Sequence, residues 1–280
     1  MFADATVPRS LVWATDIDVL PADHVTVRRG DHLVVRSPAN PEHYFGNLVV
    51  FDEAPRAGDR ERWEAIFAAE FADEPGVRHR TFCWDRTDDA LGEARAEFET
   101  AGYHLERSVG LIAAPDEVRP HPRANREVAI RPLRPGADVD LWDQVVEVQV
   151  AGRDPVRFSE ESYRQFTRRR LGDLRGLFLA GRGSWYVALL GDVVVGSCGV
   201  VVTAGRGRFQ IVDTAAGHRR RGICSRLVVD AAHHAAATYG ARRLIIAADA
   251  DYHALGIYES LGFAPVERVA AVCRQPPADR

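Results

Sequence analysis

Lysine is missing altogether: each of the 36 basic side chains is arginine. Cysteine occurs four times, as Cys83, Cys198, Cys224 and Cys273. They lie far apart with no CxxC pair, which argues against a zinc site and against a disulfide scaffold. Long apolar runs are missing too. The most apolar stretch, Val193 to Val202, is broken by glycine and reads as a strand rather than a membrane span. The first residues, MFADATVPRS, carry Asp4 and no apolar core, unlike a secretory leader. A net charge of −4 supplies no basic field for nucleic acid. No short repeat and no low-complexity tract occurs. These absences predict a cytoplasmic protein with no membrane, nucleic-acid or metal partner.

What is present is the balance of a globular chain: 280 residues, 46% hydrophobic and 27% charged. That length favours two domains over one. The clearest seam is Ala114 to Glu127, a polar stretch with three prolines, which block regular structure around themselves. It separates a domain over 1–120 from one over 126–280. In the second, Val128 to Leu133 reads as a strand and Asp138 to Val150 as a helix, with Leu141, Val145 and Val148 at helical spacing. Ser159 followed by Glu160 and Glu161 marks a helix start, and Arg168 to Arg170 its end before Leu171-Gly172. Trp185 to Leu190 and Asp192 to Val202 form a hairpin about Gly191-Asp192. Then come a strand (Phe209 to Thr214), a basic loop, and a long helix (Gly222 to Tyr239) with Ile223, Leu227, Val228, Ala231 and Ala235 in one stripe. A strand (Arg243 to Ala248), a helix (Tyr252 to Leu261) and two short strands (Phe263 to Cys273) close the chain. The order predicts an α/β fold with a mixed central sheet flanked by helices. The first half reads β-β-α-β-α-β: Asp31 to Arg36, Tyr44 to Phe51, Arg60 to Phe71, Val77 to Trp84, Leu91 to Thr100 and His104 to Ala113. Its Ala101 to Ile112 echoes Leu261 to Val272, which points to a tandem duplication.

Two segments carry chemistry. In Gln210 to Ala231 a strand runs into a basic loop, a glycine and a helix. A helix start has free N–H groups and a positive dipole end, Gly222 removes a side chain from the approach, and Arg219, Arg220 and Arg221 add charge. The pattern suits a bound phosphate. The second segment is Ala250 to Phe263, ADYHALGIYESLGF.

Together they resemble the GNAT superfamily of acetyl-CoA-dependent N-acetyltransferases. Arg219-Arg220-Arg221-Gly222-Ile223-Cys224 is similar to its Q/R-x-x-G-x-G/A pyrophosphate loop, with Cys224 where the family carries a small Gly or Ala. Asp251, Ala254, Tyr258 and Gly262-Phe263 are similar to its N-x-x-A-x-x-x-Y-x-x-x-G-F segment, with Asp251 in the Asn place. Arg126 to Asp140 and Trp185 to Val202 resemble its first strand and central hairpin, so the resemblance covers about residues 126 to 275. It implies a GNAT-like acyl-CoA N-acyltransferase fold, with the cofactor's pantetheine arm pairing to Val212, Asp213 and Thr214 and its phosphates on Arg219 to Ser225. It implies that Tyr258 protonates the departing thiolate, and that Asp251 makes a cofactor contact. Asp213 is the candidate general base, though alternation along a strand leaves open which face it takes. His218 is read as part of the phosphate loop. A lysine-free chain offers no side-chain amine for self-acetylation.

The expected function is acetyl transfer from acetyl-CoA, as co-substrate, to an amine of a small molecule or peptide, without a metal. The alternative is a non-catalytic acyl-CoA-binding or sensing protein. The first half shows no Q/R-x-x-G-x-G/A spacing after its Tyr44 to Phe51 strand and no tyrosine in its later helix. It is expected to be a degenerate second copy.

Overall fold

Ser10 starts the first helix by accepting a hydrogen bond from Trp13 N, which satisfies one of the free donors of a helix start. The computed structural model describes residues 7–251 and 254–276. In chain order its elements are α1 (Leu11–Asp18), β1 (Val25–Arg29), β2 (His32–Arg36), β3 (Leu48–Phe51), α2 (Asp59–Glu70), β4 (Arg80–Trp84), α3 (Arg95–Thr100), β5 (His104–Ala113), β6 (Ala129–Pro132), α4 (Val139–Gly152), α5 (Glu160–Leu179), β7 (Gly183–Leu190), β8 (Val193–Thr203), β9 (Arg206–Thr214), α6 (Ile223–Tyr239), β10 (Arg243–Asp249), α7 (Ala254–Ser260) and β11 (Ala264–Arg274). The chain divides into two compact units. The first holds residues 1–110, 248–252 and 266–280, and the second holds 111–247 and 253–265. No helix among the described residues is long and apolar enough to cross a membrane.

In the first unit β1, β2 and β3 pair antiparallel in sequence, β3 pairs parallel with β4, and β4 pairs antiparallel with residues 271–274 of β11. The end of the chain therefore completes the sheet of the first unit. Where the sequence suggests two short strands after Phe263, one strand forms. Its apolar residues Val269 to Cys273 are all buried, so no turn interrupts them. Helix α1 and strand β1 are absent from the sequence reading. The helix is short and the strand is largely exposed, so neither shows a clean periodicity. Aromatic residues make the core: Phe51 stacks on Trp63 at 3.8 Å, and Phe82, Trp84 and Phe98 surround them.

A carboxylate from β11 caps α1. Glu267 accepts from Ser10 Oγ (3.0 Å), Leu11 N (3.0 Å) and Val12 N (2.6 Å). Glu267→Ala leaves these partly buried donors unpaired and should cost about 1–3 kcal/mol. Urea unfolding measures the loss; an unchanged midpoint would show that the cap is idle.

In the second unit the sheet order is β10-β9-β8-β7-β6, antiparallel except for β9 with β10. The stripe read on α6 is buried: Ile223, Leu227, Val228, Ala231 and Ala235. Helix α5 starts as expected, with Ser159 accepting from Ser162 N, but it does not end before Gly172. It runs on to Leu179 because Leu171, Leu174, Leu177 and Phe178 are buried, and their packing outweighs the propensity cost of glycine, about 1 kcal/mol.

Candidate functional site

Strand β9 builds the site, and it is irregular. Gln210 pairs with Gly199 and Asp213 with Ser197, so three steps along β9 match two along β8. The extra residue is a bulge, and Ile211 within it takes φ +43°. A β-branched residue in that region is strained, by roughly 1–2 kcal/mol. The bulge decides the direction of Asp213. Facing positions of an antiparallel pair share a sheet side. Gly199 and Ser197 are two residues apart, so Gln210 and Asp213 emerge on one side despite an odd separation. Contacts agree: Arg170 of α5 donates to Gln210 Oε1 at 3.0 Å, and Asp213 Oδ2 lies 3.1 Å from where a Cβ on Gly152 of α4 would stand. The neighbouring Gly196 and Thr214 meet Ile223 of α6 on the other side.

Beyond the bulge β9 also leaves its parallel neighbour. The pairing with β10 covers only Arg206 to Arg208 against Arg243 to Ile245, although β9 continues to Thr214 and β10 to Asp249. Val212, Asp213 and Thr214 thus lie half-buried on a strand end that the parallel ladder does not reach. Asp213 is coupled to its surroundings. Its Oδ1 accepts from Thr214 N at 2.7 Å, and Arg219 Nη2 lies 3.9 Å away. Burial holds its carboxyl above the usual carboxylate range, against the pull of the Thr214 N–H and Arg219. Tyr163 of α5 and Cys224 of α6 both feel its charge. Burial, with that charge, pushes the Cys224 thiol up to about 12, so it stays neutral at pH 7 and brings no second negative charge to the helix start.

The basic loop follows. A short 3₁₀ turn, Ala216–His218, leads through Arg219 and Arg220 (φ +61°) to Gly222 (φ +72°). Arg219 Nε bonds back to Thr214 O at 3.1 Å, while Arg220 and Arg221 point into solvent. Helix α6 begins with no capping side chain, which leaves the first-turn N–H groups of Ile223, Cys224 and Ser225 outside the helix ladder. His218 is half-buried with its Nδ1 unpaired. The reason for glycine at 222 differs from the one the sequence suggests. Its Cβ position is taken by Arg123 O at 2.0 Å, and Asn125 clamps the loop through N to Gly222 O and Nδ2 to Arg221 O, both 3.1 Å. Residues 123–125 of the proline-rich seam thus hold the loop in shape.

Tyr258 is buried on α7, edge-on to Phe263 at 6.4 Å, and Phe263 is edge-on to Phe209 of β9 at 6.1 Å. Asp251 follows β10 in the part of the chain that belongs to the first unit. It is exposed, with its N donating to Asp249 Oδ1 at 2.9 Å. No group of three or more metal-ligating side chains occurs among the described residues. His233 and His234 are both engaged, with Val118 O at 3.1 Å and Tyr186 Oη at 3.0 Å respectively. Sequence reasoning misses Gly152, Tyr163, Ser197 and the Asn125 clamp. All four reach the site by tertiary contact, and none sits in a motif.

Residues 147–263 match the model of the acetyltransferase (GNAT) family. The matched stretch falls almost wholly within the second unit. The matched family is one of acetyltransferases, and β9, the loop and α6 lie inside the matched stretch. Among solved structures, a functionally unknown conserved protein from Staphylococcus epidermidis aligns with a TM-score of 0.71 at 12% identity, covering 91% of this chain and 95% of that one. A GCN5-related N-acetyltransferase from Kribbella flavida aligns at 0.63 and 16%, covering 95% of each. A tandem GNAT protein from the clavulanic acid biosynthesis pathway aligns at 0.55 and 18%, covering 98% of this chain and 92% of that one. At these identities the likeness is one of fold: a mixed sheet flanked by helices, shared with GNAT-fold proteins that include a tandem one. The chain matches no curated protein.

The first unit repeats the geometry of the GNAT loop with opposite chemistry. Strand β3 leads to Gly58 in the left-handed region (φ +83°), and α2 starts without a side-chain cap, as α6 does after Gly222. A cavity of about 240 Å³ lies there, lined by four carboxylates, Asp31, Asp52, Glu53 and Asp59, against two arginines, Arg56 and Arg62. Arg62 is bound to Asp31 and Asp59 and rests over the Phe51 ring at 5.5 Å. The repeated turn escapes a motif search because the glycine–helix geometry is kept while the Q/R-x-x-G spacing is not: Arg56 stands two residues before Gly58.

Proposed function

We propose that the second unit transfers an acetyl group from acetyl-CoA to an amine. The observation that carries this reading is what meets at the end of β9: an unladdered strand end, an uncapped helix start beside Arg220 and Arg221, and the carboxylate of Asp213. An extended pantetheine arm can add to Val212–Thr214 by main-chain bonds, while the N–H groups of Ile223 to Ser225 and the exposed arginines take the pyrophosphate. In the transfer, Asp213 accepts a proton from the incoming amine. The neutral nitrogen attacks the thioester carbonyl, a C–N bond forms as the C–S bond breaks, and Tyr258 donates its proton to the departing thiolate. A carboxyl raised towards neutrality is a better match for that task than an ordinary aspartate.

Only the second unit is assigned the acyl-CoA. The carboxylates about Gly58 oppose phosphate, and Arg62 is already engaged by two of them.

A thermal-shift titration tests the cofactor assignment. At a hundred times its dissociation constant, acetyl-CoA should stabilise the protein by about 2.7 kcal/mol. An R220E/R221E double variant, altered at two solvent-facing side chains, should keep its ligand-free midpoint and lose the shift. A shift of equal size in the variant would remove the loop from the assignment. No shift in the native chain would remove the cofactor.

A further inference from the structure

The amine side of Asp213 has its own walls, and they say which amine fits. Arg170 and Tyr163 lie seven residues apart on α5, hence on one face and about 10.5 Å apart along the axis. Gln210 and Asp213 lie on one side of β9, about 7 Å apart, because they face positions two residues apart on β8. Arg170 is bonded to Gln210, and Arg164, next to Tyr163, is bonded to Glu147 of α4, the helix whose Gly152 lies against Asp213, so the first turns of α5 are the end near Asp213, whose charge Tyr163 feels. Tyr163 is the middle of three partly exposed rings, with Phe158 at 5.5 Å and Phe166 at 6.0 Å.

The floor is polar and small. Ser197 faces Asp213 across the strand pair, and its hydroxyl is wholly buried without a hydrogen-bond partner. Gln149, one turn before Gly152 on α4, has its Nε2 buried and unpaired in the same way. Buried polar groups without partners are rare, and each calls for an explanation. A polar group of a bound acceptor supplies one here.

The rim is completed by Arg157, which lies over the Phe158 ring at 5.6 Å, and by Arg219, which stands beside Asp213. The nearby carboxylates are engaged: Asp154 accepts from Val156 N at 2.8 Å, and Glu160 is held by Arg153 and Arg164. The carboxylate of Asp213 therefore faces the acceptor beside the aromatic wall.

We infer that the acceptor is a monoamine bearing an aromatic or bulky apolar group, which Tyr163, Phe158 and Phe166 enclose while Asp213 and Ser197 hold the nitrogen. Polyamines and aminoglycoside-like polycations fit less well, because their further ammonium groups would be desolvated against the three rings. This inference rests on the acetyl-transfer reading and adds the substrate class to it.

Acetyl-CoA-dependent thiol release with 2-phenylethylamine, methylamine and spermidine tests it, with the melting shift by acetyl-CoA read on the same samples. The native protein should favour 2-phenylethylamine over both others by at least about tenfold in kcat/KM. Tyr163→Ala should raise the KM for 2-phenylethylamine about tenfold and leave that for acetyl-CoA unchanged, and Tyr163→Phe should restore it. Phe166→Ala, at the next ring, should move the same KM and provides a second reading if Tyr163→Ala fails to fold. Preference for spermidine, or an unchanged amine KM in the alanine variants, overturns the substrate class and leaves acetyl transfer standing. Thiol release with no amine, while acetyl-CoA still raises the melting midpoint, overturns acetyl transfer and this inference together.

Discussion

Replacing Gly222 with valine should destabilise the protein by about 3 kcal/mol or more, the sum of a left-handed backbone penalty and an overpacking term. The position has φ +72°, and a side chain there would occupy the space of Arg123 O, 2.0 Å from the Cβ position, with Asn125 N next at 2.9 Å. Backbone atoms cannot swing aside as a flexible side chain can. The clamp of residues 123–125 would have to leave the loop, and with it the shape of the helix start that the acyl-CoA reading needs. Chemical denaturation of Gly222→Val measures the loss, and acetyl-CoA should no longer shift its melting midpoint. Gly217→Ala, in the same loop but with nothing within 4 Å of its Cβ position, should be close to neutral. If the two variants are equally stable, the clamp has no energetic weight.

Asp213→Asn should lower turnover by about 10²–10⁴-fold, the usual contribution of a positioned proton acceptor. The fold should survive. Burial raises the folded-state pKa of Asp213 above its unfolded value, so the ionised carboxylate is the form that the native state disfavours. Stability attached to this group is full at low pH and falls as pH rises from the unfolded to the folded pKa. A neutral amide at 213 escapes that fall, and the melting midpoint near pH 7 should hold or rise. The activity profile carries the second sign. Asp213 must be ionised to accept a proton, so kcat/KM should climb with pH through a midpoint above the ordinary carboxylate range, and that limb should vanish in the variant. Acetyl-CoA should still shift the melting midpoint of Asp213→Asn. Turnover within threefold of the native value would remove Asp213 from the chemistry.

Much of this protein is written locally. The apolar stripe on α6, the Ser159 start of α5, the hairpin about Gly191 and the arginine–glycine loop can each be read from neighbouring residues, because each depends on periodicity, capping or turn chemistry within one segment. The match to the acetyltransferase family falls on the same stretch. What failed locally has a common cause. Helix α5 runs through Gly172 because distant side chains bury its last turns, and α1 is capped by a carboxylate about 255 residues away.

The site divides in the same way. The loop and the tyrosine proposed for it are motif positions, legible from residue type and spacing in the sequence alone. The direction of Asp213 is not, because period-two alternation breaks at a bulge, and the bulge at Ile211 arises from the register of β9 on β8. Gly222 shows the same limit: the sequence marks the glycine, and the tertiary structure supplies a different reason for it, the backbone of residues 123–125 lying against its Cα. Tyr163 and Ser197 carry no sequence signal and become partners of Asp213 only through packing and strand register. Spacing along the chain points to the kind of chemistry proposed for this protein. The tertiary structure decided which side chains face it, because facing is a property of register and packing, which no single segment contains.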